Sequence, residues 1–234
     1  MKFKLALVSL SIIMITMSCD PKTLSTVLNS GNLSKTEIAN GLKEALDNGV
    51  SSAVTTLARE GGFYQSIYKI FLPEEAKSVV NKLKLIPGFA NLEEEAVKRI
   101  NRAAEDAASK AGPIFVNAIK QLTFDDVMNI LKGEKNAATQ FLRRTTYTAL
   151  YNEFKPEINN SLNKFGALDY WGSAMNTYNK IPFIDKVNPD LADHATNKAL
   201  DGLFDLIENK EKGIRTDISQ RTSDLLKKVF AQQD

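Results

Sequence analysis

The sequence predicts an all-α fold: a single multi-helix, bundle-like domain behind an N-terminal lipoprotein signal peptide. Three observations predict it. Apolar residues recur at three- and four-residue spacing along most of the chain, which puts them on one face of a helix. Capping residues and Gly or Pro breaks divide those stripes at helix-like intervals. No stretch alternates cleanly enough for a sheet, no fixed-period repeat is present, and no linker is long enough to divide the mature chain.

The chain opens with an export signal. Lys2 and Lys4 precede the apolar run Leu5 to Thr16, which ends at Ser18 and the only cysteine, Cys19. The run is too short to span a bilayer, which takes roughly 20 apolar residues. A lone cysteine directly after a small residue at the end of such a run resembles a lipobox, with Thr16 and Met17 where leucine and a small residue are commoner. Residues 1–18 are expected to be removed and Cys19 to become the acylated first residue, the alternative being ordinary secretion with a chance cysteine. Residues 19–33 then read as a lipidated tether, with a helical stretch near Leu24 to Leu28, and 34–234 as the all-helical domain. Acylation of Cys19 is the expected membrane contact, since each buried methylene contributes about 0.8 kcal/mol and more than one acyl chain holds stably.

Ser34 with Glu37 forms a capping box, and Ile38, Leu42, Ala45, Leu46, Val50, Ala53, Val54 and Leu57 carry a stripe to Gly61 and Gly62. Phe63 to Phe71 reads as a short helix or an irregular aromatic wall, and Pro73, Glu74 and Glu75 open a helix that Pro87 and Gly88 close. The centre organises the rest. Asn91 and Glu93 to Glu95 suit a helix start, and Val97, Ile100, Ala104, Ala107, Ala108 and Ala111 make a nearly side-chain-free stripe against which another helix can lie closely. Gly112 is read as its end and Pro113 as the first residue of the next helix, in which Ile114, Phe115, Val116, Ala118, Ile119 and Leu122 are apolar nearly all round and so expected to be buried. Thr123 with Asp126 starts a third helix that Gly133 stops.

Ala137, Phe141, Leu142, Thr145, Thr148, Tyr151 and Phe154 form the next stripe. Pro156 kinks or restarts it, and Ile158, Leu162 and Phe165 continue it to Gly166. Tyr170 to Phe183 is aromatic and irregular. Asn188 caps and Pro189 begins a helix with Leu191, Ala195, Ala199, Leu203, Phe204 and Ile207 inward. Asp217 and Gln220 cap the last helix, whose Leu225, Leu226, Val229 and Phe230 dock back on the body.

The 30 lysines and arginines, less Lys2 and Lys4, balance 28 acids in the mature chain, so nothing favours nucleic acid or an anionic surface. With Cys19 acylated no disulfide is possible, and packing alone must stabilise the domain.

The runs Leu33-Ser34, Glu37-Ile38, Gly41 to Leu46, Asn101 to Glu105, Pro113 to Phe115, Ala137 to Thr146, Asp201 to Phe204 and Arg221 to Phe230 resemble a bacterial lipoprotein family catalogued as a domain of unknown function, number 4197. The resemblance spans nearly the whole mature chain. It implies a lipid-anchored envelope location of Gram-negative type and this fold, without a reaction, ligand or catalytic residue. At His194 and Ala195 the chain departs from the family pattern, which has an aromatic residue then valine, so no shared role for His194 is implied.

No catalytic residue, metal site or cofactor is predicted. There is no G-x-S-x-G, H-E-x-x-H or Walker loop, and the single histidine, His194, shares a helix face only with Asp190, two ligands where a metal needs more. The candidate ligand-binding residues are Asn101, Arg102, Glu105, Arg143 and Arg144. The first three stand with Asp106 beside the alanine stripe, and guanidinium forks at Arg143 and Arg144 suit carboxylate or phosphate. The bland reading of these residues is structural pairing, for example one arginine with Glu105 while its neighbour faces water. Glu93 to Glu95 and the charges from Glu208 to Lys212 read as helix-end and solvated-face charges.

The function expected is that of a lipid-anchored, non-catalytic binding or scaffolding module in the cell envelope, its domain outside the cytoplasm. Its partner, a protein or small molecule, meets a groove beside the Asn101 to Asp106 helix. One alternative is a hydrolase or lyase with Glu105 or Asp106 as base and Arg102 and Arg143 holding an anion. Another is a carrier of lipid or an apolar ligand, with a cavity near Tyr170 to Phe183.

Overall fold

The structure, a computed structural model, describes residues 33–74, 76, 77, 80, 91–164, 171, 172, 176, 179, 182, 183 and 190–231. Among these residues all regular structure is helical, and no helix is long and apolar enough to cross a membrane. The helices are α1 Lys35–Ala58, α2 Leu92–Ala108, α3 Ala111–Lys120, α4 Phe124–Lys132, α5 Ala137–Asn163, α6 Leu191–Thr216 and α7 Asp224–Phe230, with a 3-10 turn Ile218–Gln220 before the last. The readings on residues 1–32, Cys19 included, lie outside the described residues. So do Glu75, Pro87, Gly88, Phe165, Gly166, Asn188 and Pro189.

The core forms where the predicted stripes meet. α5 packs against both α2 and α6, and α1 lies across α3, α6 and α7. Val97, Ile100, Ala104, Ala107, Ala108 and Ala111 are all buried, joined by Ala103. A face built of methyl groups lets a neighbouring helix approach at the short end of the usual spacing, about 8 Å. At the other end of the bundle α7 crosses α1 at Gly41, where an added Cβ would stand 2.5 Å from Val229 Cγ2. The inward set of α6 is buried as its spacing requires.

Several local expectations are corrected. α2 ends at Ala108 rather than Gly112, and α3 starts at Ala111, so Gly112 and Pro113 sit inside its first turn. The missing N–H of Pro113 costs nothing there because first-turn N–H groups have no intrahelical acceptor. α3 buries Phe115 and Ile119 but leaves Ile114, Val116 and Ala118 partly exposed, because only one side of it meets α1 and α5. Asn91 makes no side-chain cap bond, so the start of α2 rests on its three first-turn glutamates and the helix dipole. In α5, Thr146 and Leu150 face the core where Thr145 and Thr148 were expected, and the helix runs on through Pro156. α6 is capped by Asp190, whose carboxylate accepts from Asp193 N–H at 2.8 Å. Asp217 caps the 3-10 turn instead of α7, which Ser223 caps by accepting from Leu226 N–H.

The Thr123 and Asp126 box forms as read, with Asp126 N–H donating to Thr123 Oγ1 at 3.2 Å and Thr123 N–H donating to Asp126 Oδ2 at 3.0 Å. Hydrogen bonds from the Thr123 hydroxyl and then its backbone N–H hold the Asp126 carboxyl below its ordinary value. That stabilisation is present above the ordinary carboxylate value and is lost as pH falls through the depressed one.

Helix ends are also closed by charges buried among the helices. Glu211, on α6, accepts from Ala138 N–H at 3.0 Å and from the Thr139 N–H and hydroxyl, each at 2.8 Å, and so caps α5 from a neighbouring helix. Arg215, one turn on, donates Nε–H to Glu211 at 3.0 Å and a second N–H to the Ile130 carbonyl at 2.9 Å, closing α4. Arg221 donates to the Ile214 and Arg215 carbonyls at 3.0 and 3.1 Å, closing α6 itself. The stretch Glu208 to Lys212 is therefore not all solvated face: Glu211 is buried because two orphan helix-end N–H groups and the Thr139 hydroxyl converge on it.

Three glycines separate backbone need from chance. Gly61 takes φ +76°, and at Gly62 a Cβ would meet the Thr56 and Leu57 carbonyl oxygens at 2.5 Å. At Gly112 nothing lies within 4 Å of the same position. Gly62→Ala is expected to destabilise by about 1–3 kcal/mol through backbone displacement, whereas Gly112→Ala should be neutral or stabilise by up to about 1 kcal/mol by narrowing the unfolded ensemble. Urea unfolding of the two variants side by side checks the contrast.

Candidate functional site

The site is built on the segment that follows α1. Residues 59–72 are turns and irregular chain, so their backbone groups need partners from elsewhere. α2 supplies them. Asn101 Oδ1 accepts from Ile70 N–H at 2.8 Å, and its amide donates to the Ile70 and Val97 carbonyls, each at 2.7 Å. One turn on, Glu105 Oε1 accepts from Phe63 N–H at 3.2 Å and Tyr64 N–H at 3.3 Å. Arg102 reaches Glu105 at 3.5 Å and Asp106 at 3.3 Å from its half-exposed position. Asn101 is 0% exposed and Glu105 2%, so of the predicted ligand residues these two lie beneath the segment as a clamp.

The other side of the segment faces an open groove of about 550 Å³. Residues 67–74 form one wall. His194, Lys198, Asp201, Gly202 and Asp205 of α6 form the other, with Arg143 of α5 at its edge. Gly202 allows the close approach, since a Cβ there would stand 3.2 Å from Phe63 and 3.3 Å from Tyr68. His194 Nε2 lies 2.9 Å from the Phe71 carbonyl oxygen, and because a carbonyl only accepts, the proton sits on Nε2. Although clamped from beneath, the segment leaves Ile67 89% and Phe71 58% exposed on the rim.

Arg143 is the last rung of an antiparallel ladder between α5 and α6. Arg143 pairs with Asp201 at 2.5 Å, Tyr147 donates to Asn197 at 2.7 Å, Tyr151 donates to Asp193, and Lys155 pairs with Asp190 at 2.9 Å. Each step goes one turn along both helices, which fixes their register. The guanidinium lies over the rings of Phe204 and Tyr147, centroids 5.2 and 5.6 Å away, and is held in orientation by them. Burial and then the Asp201 carboxylate push the Tyr147 hydroxyl up, while the Asp193 acceptor raises Tyr151. Hydrogen bonding to Asp190 raises Lys155. Burial alone would raise Asp190, but the bonds from Lys155 and the Asp193 N–H hold it below its usual range. Arg144 diverges from Arg143, its guanidinium 5.6 Å from the Phe141 ring centroid, as adjacent helix positions about 100° apart require.

Among the described residues, no three His, Cys, Asp or Glu side chains are grouped to hold a metal ion. Residues 32–231 match the family described as protein of unknown function, DUF4197. The chain belongs to that family. Comparison with curated proteins and with solved structures found no match.

In this DUF4197 member the five predicted ligand residues separate: Asn101 and Glu105 brace the segment, Arg102 bridges two acids, Arg143 reaches the groove and Arg144 does not line it. Arg143 and Glu105 have different partners, Asp201 for the first, Arg102 and backbone N–H groups for the second. Sequence reasoning missed Lys198, Asp205 and the rim residues Ile67 and Phe71. The α6 residues had a signal, the three- and four-residue steps His194, Lys198, Asp201, Asp205 opposite the apolar stripe. Phe63 to Phe71 was read as a short helix or an irregular aromatic wall, and the second of these forms, but nothing in its sequence tied it to a site. Of Tyr170 to Phe183, Trp171 is buried and Phe183 exposed, and most of the others lie outside the described residues.

Proposed function

We propose that this chain is a lipid-anchored protein of the cell envelope whose helical domain is a non-catalytic binding module, with the groove between residues 67–74 and α6 as its binding site. The observation that carries the reading is the combination of a firmly braced wall with solvent-exposed Ile67 and Phe71 on its rim. Leaving such side chains in water forgoes roughly 1.5–3 kcal/mol each, a loss that a bound partner recovers. Glu105, the base of a hydrolase or lyase reading, has both oxygens engaged and 2% exposure, which favours binding over catalysis.

Anchoring is tested at Cys19. The parent chain is expected to incorporate labelled palmitate and to sediment with membranes. Cys19→Ser should lose the label and move to the soluble fraction, and a variant that stays with membranes would refute the anchor. For the groove, native mass spectrometry of the chain purified from its own cells should show a retained mass that Phe71→Ser removes.

A further inference from the structure

The charges around the groove identify what it takes. Of its three acids, Asp201 is paired with Arg143 and Glu74 with Lys77 outside the groove. Three cations and three acids line the groove, and because Glu74 is neutralised by Lys77 from outside, the residues without an ion pair among those described, Lys69, Lys198 and Asp205, leave one positive charge over. Lys69 is placed over the Tyr64 ring, 4.1 Å from its centroid, on the same wall as Ile67 and Phe71. Arg143 uses one N–H toward Asp201 and carries five in all, so its planar fork keeps donors for a second acceptor. Cation donors and bare apolar surface therefore line one concavity, whose volume lies within the range of small-molecule sites.

We propose, on the reading that this groove is the binding site, that its ligand is a small amphipathic monoanion: one carboxylate on an apolar body. The carboxylate meets Lys198 and the free edge of Arg143, and the apolar body covers Phe71 and Ile67. A single excess charge matches a carboxylate better than a phosphate monoester, which carries about −1.5 to −2 near neutral pH. His194 contributes by fixing the Phe71 carbonyl and with it the rim, rather than by touching the anion.

Isothermal titration of the chain from residue 19, carrying Cys19→Ser so that no acyl group competes, tests this with decanoate, acetate and decyltrimethylammonium. Decanoate is expected to bind saturably at one molecule per chain, and acetate and the cation are not. Lys198→Glu and Phe71→Ser, both at exposed positions, should each weaken decanoate by about tenfold or more while leaving the melting temperature unchanged. Equal binding of the cation, lost in Phe71→Ser and kept in Lys198→Glu, would overturn the anion and leave the groove standing. No binding of any probe, or binding indifferent to both substitutions, would overturn both. Recruitment to phosphatidylglycerol vesicles through Phe71, without decanoate binding, would replace the small ligand by a lipid surface.

Discussion

Replacing Glu211 with alanine is expected to destabilise the domain by about 3–5 kcal/mol, the range for removing one partner of a buried ion pair. The carboxylate has two jobs. It receives the first N–H groups of α5, whose own N-cap residue Asn136 makes no side-chain cap bond, and it neutralises Arg215, whose side chain is 4% exposed. Alanine leaves the Ala138 and Thr139 N–H groups without their acceptor and a guanidinium charge among apolar neighbours. Leu42, Leu46, Ile207 and Phe230 line a void of about 20 Å³ beside the pair, so these neighbours offer neither the N–H groups nor the guanidinium a new hydrogen-bond partner. Chemical denaturation followed by circular dichroism measures the loss. Glu211→Met combined with Arg215→Met should recover much of it, because the worst consequence of the single change is the orphaned charge. A single-variant loss under about 1 kcal/mol, the range for exposed pairs, would show that the pair is not what closes these helices.

That pair also marks where the sequence stops being legible. Periodicity found α1, α2 and α6 with their inward faces because a helix stripe is a local pattern, repeated many times within one element, while capping and stop residues alone marked α4. The alanine face of α2 was legible for the same reason. Glu211 was not: it lies among Glu208, Lys210 and Lys212, and nothing in that string distinguishes the one acid that points at the start of a helix 72 residues away. Short-range alternatives went wrong where two local signals compete. Gly112 and Pro113 fit equally a break or a first turn, and only the packing of α3 decides. The groove was half legible. Arg143 was read as an anion donor from its chemistry, but Asn101 and Glu105 were read with it although each serves a segment more than 30 residues earlier in the chain. Long-range side-chain-to-backbone bonds leave no periodic trace.

Asn101→Ala is expected to destabilise by about 2–4 kcal/mol, since it orphans both the N–H and the carbonyl of buried Ile70, each worth about 1–3 kcal/mol when left unsatisfied. Only an amide presents a neutral donor and acceptor side by side, as a neighbouring peptide would, and the extra methylene of glutamine would have to fit a fully buried position. Asn101→Asp should be nearly as damaging: the carboxylate keeps the acceptor for Ile70 N–H but turns the donor into a second acceptor facing the Ile70 carbonyl. The effect is local before it is global. Hydrogen exchange at the Ile70 amide, and at Phe63 and Tyr64 held by Glu105, should accelerate more than exchange in α5 or α6, where the core is untouched. The groove wall then loses its support from beneath while every residue that lines the groove remains in the sequence. Binding and bracing are thereby separable: if the groove works as a preformed site, Asn101→Ala weakens a groove ligand without removing any contact to it. Unchanged exchange at Ile70 would mean that the segment holds its shape without α2, and the bracing argument would fail.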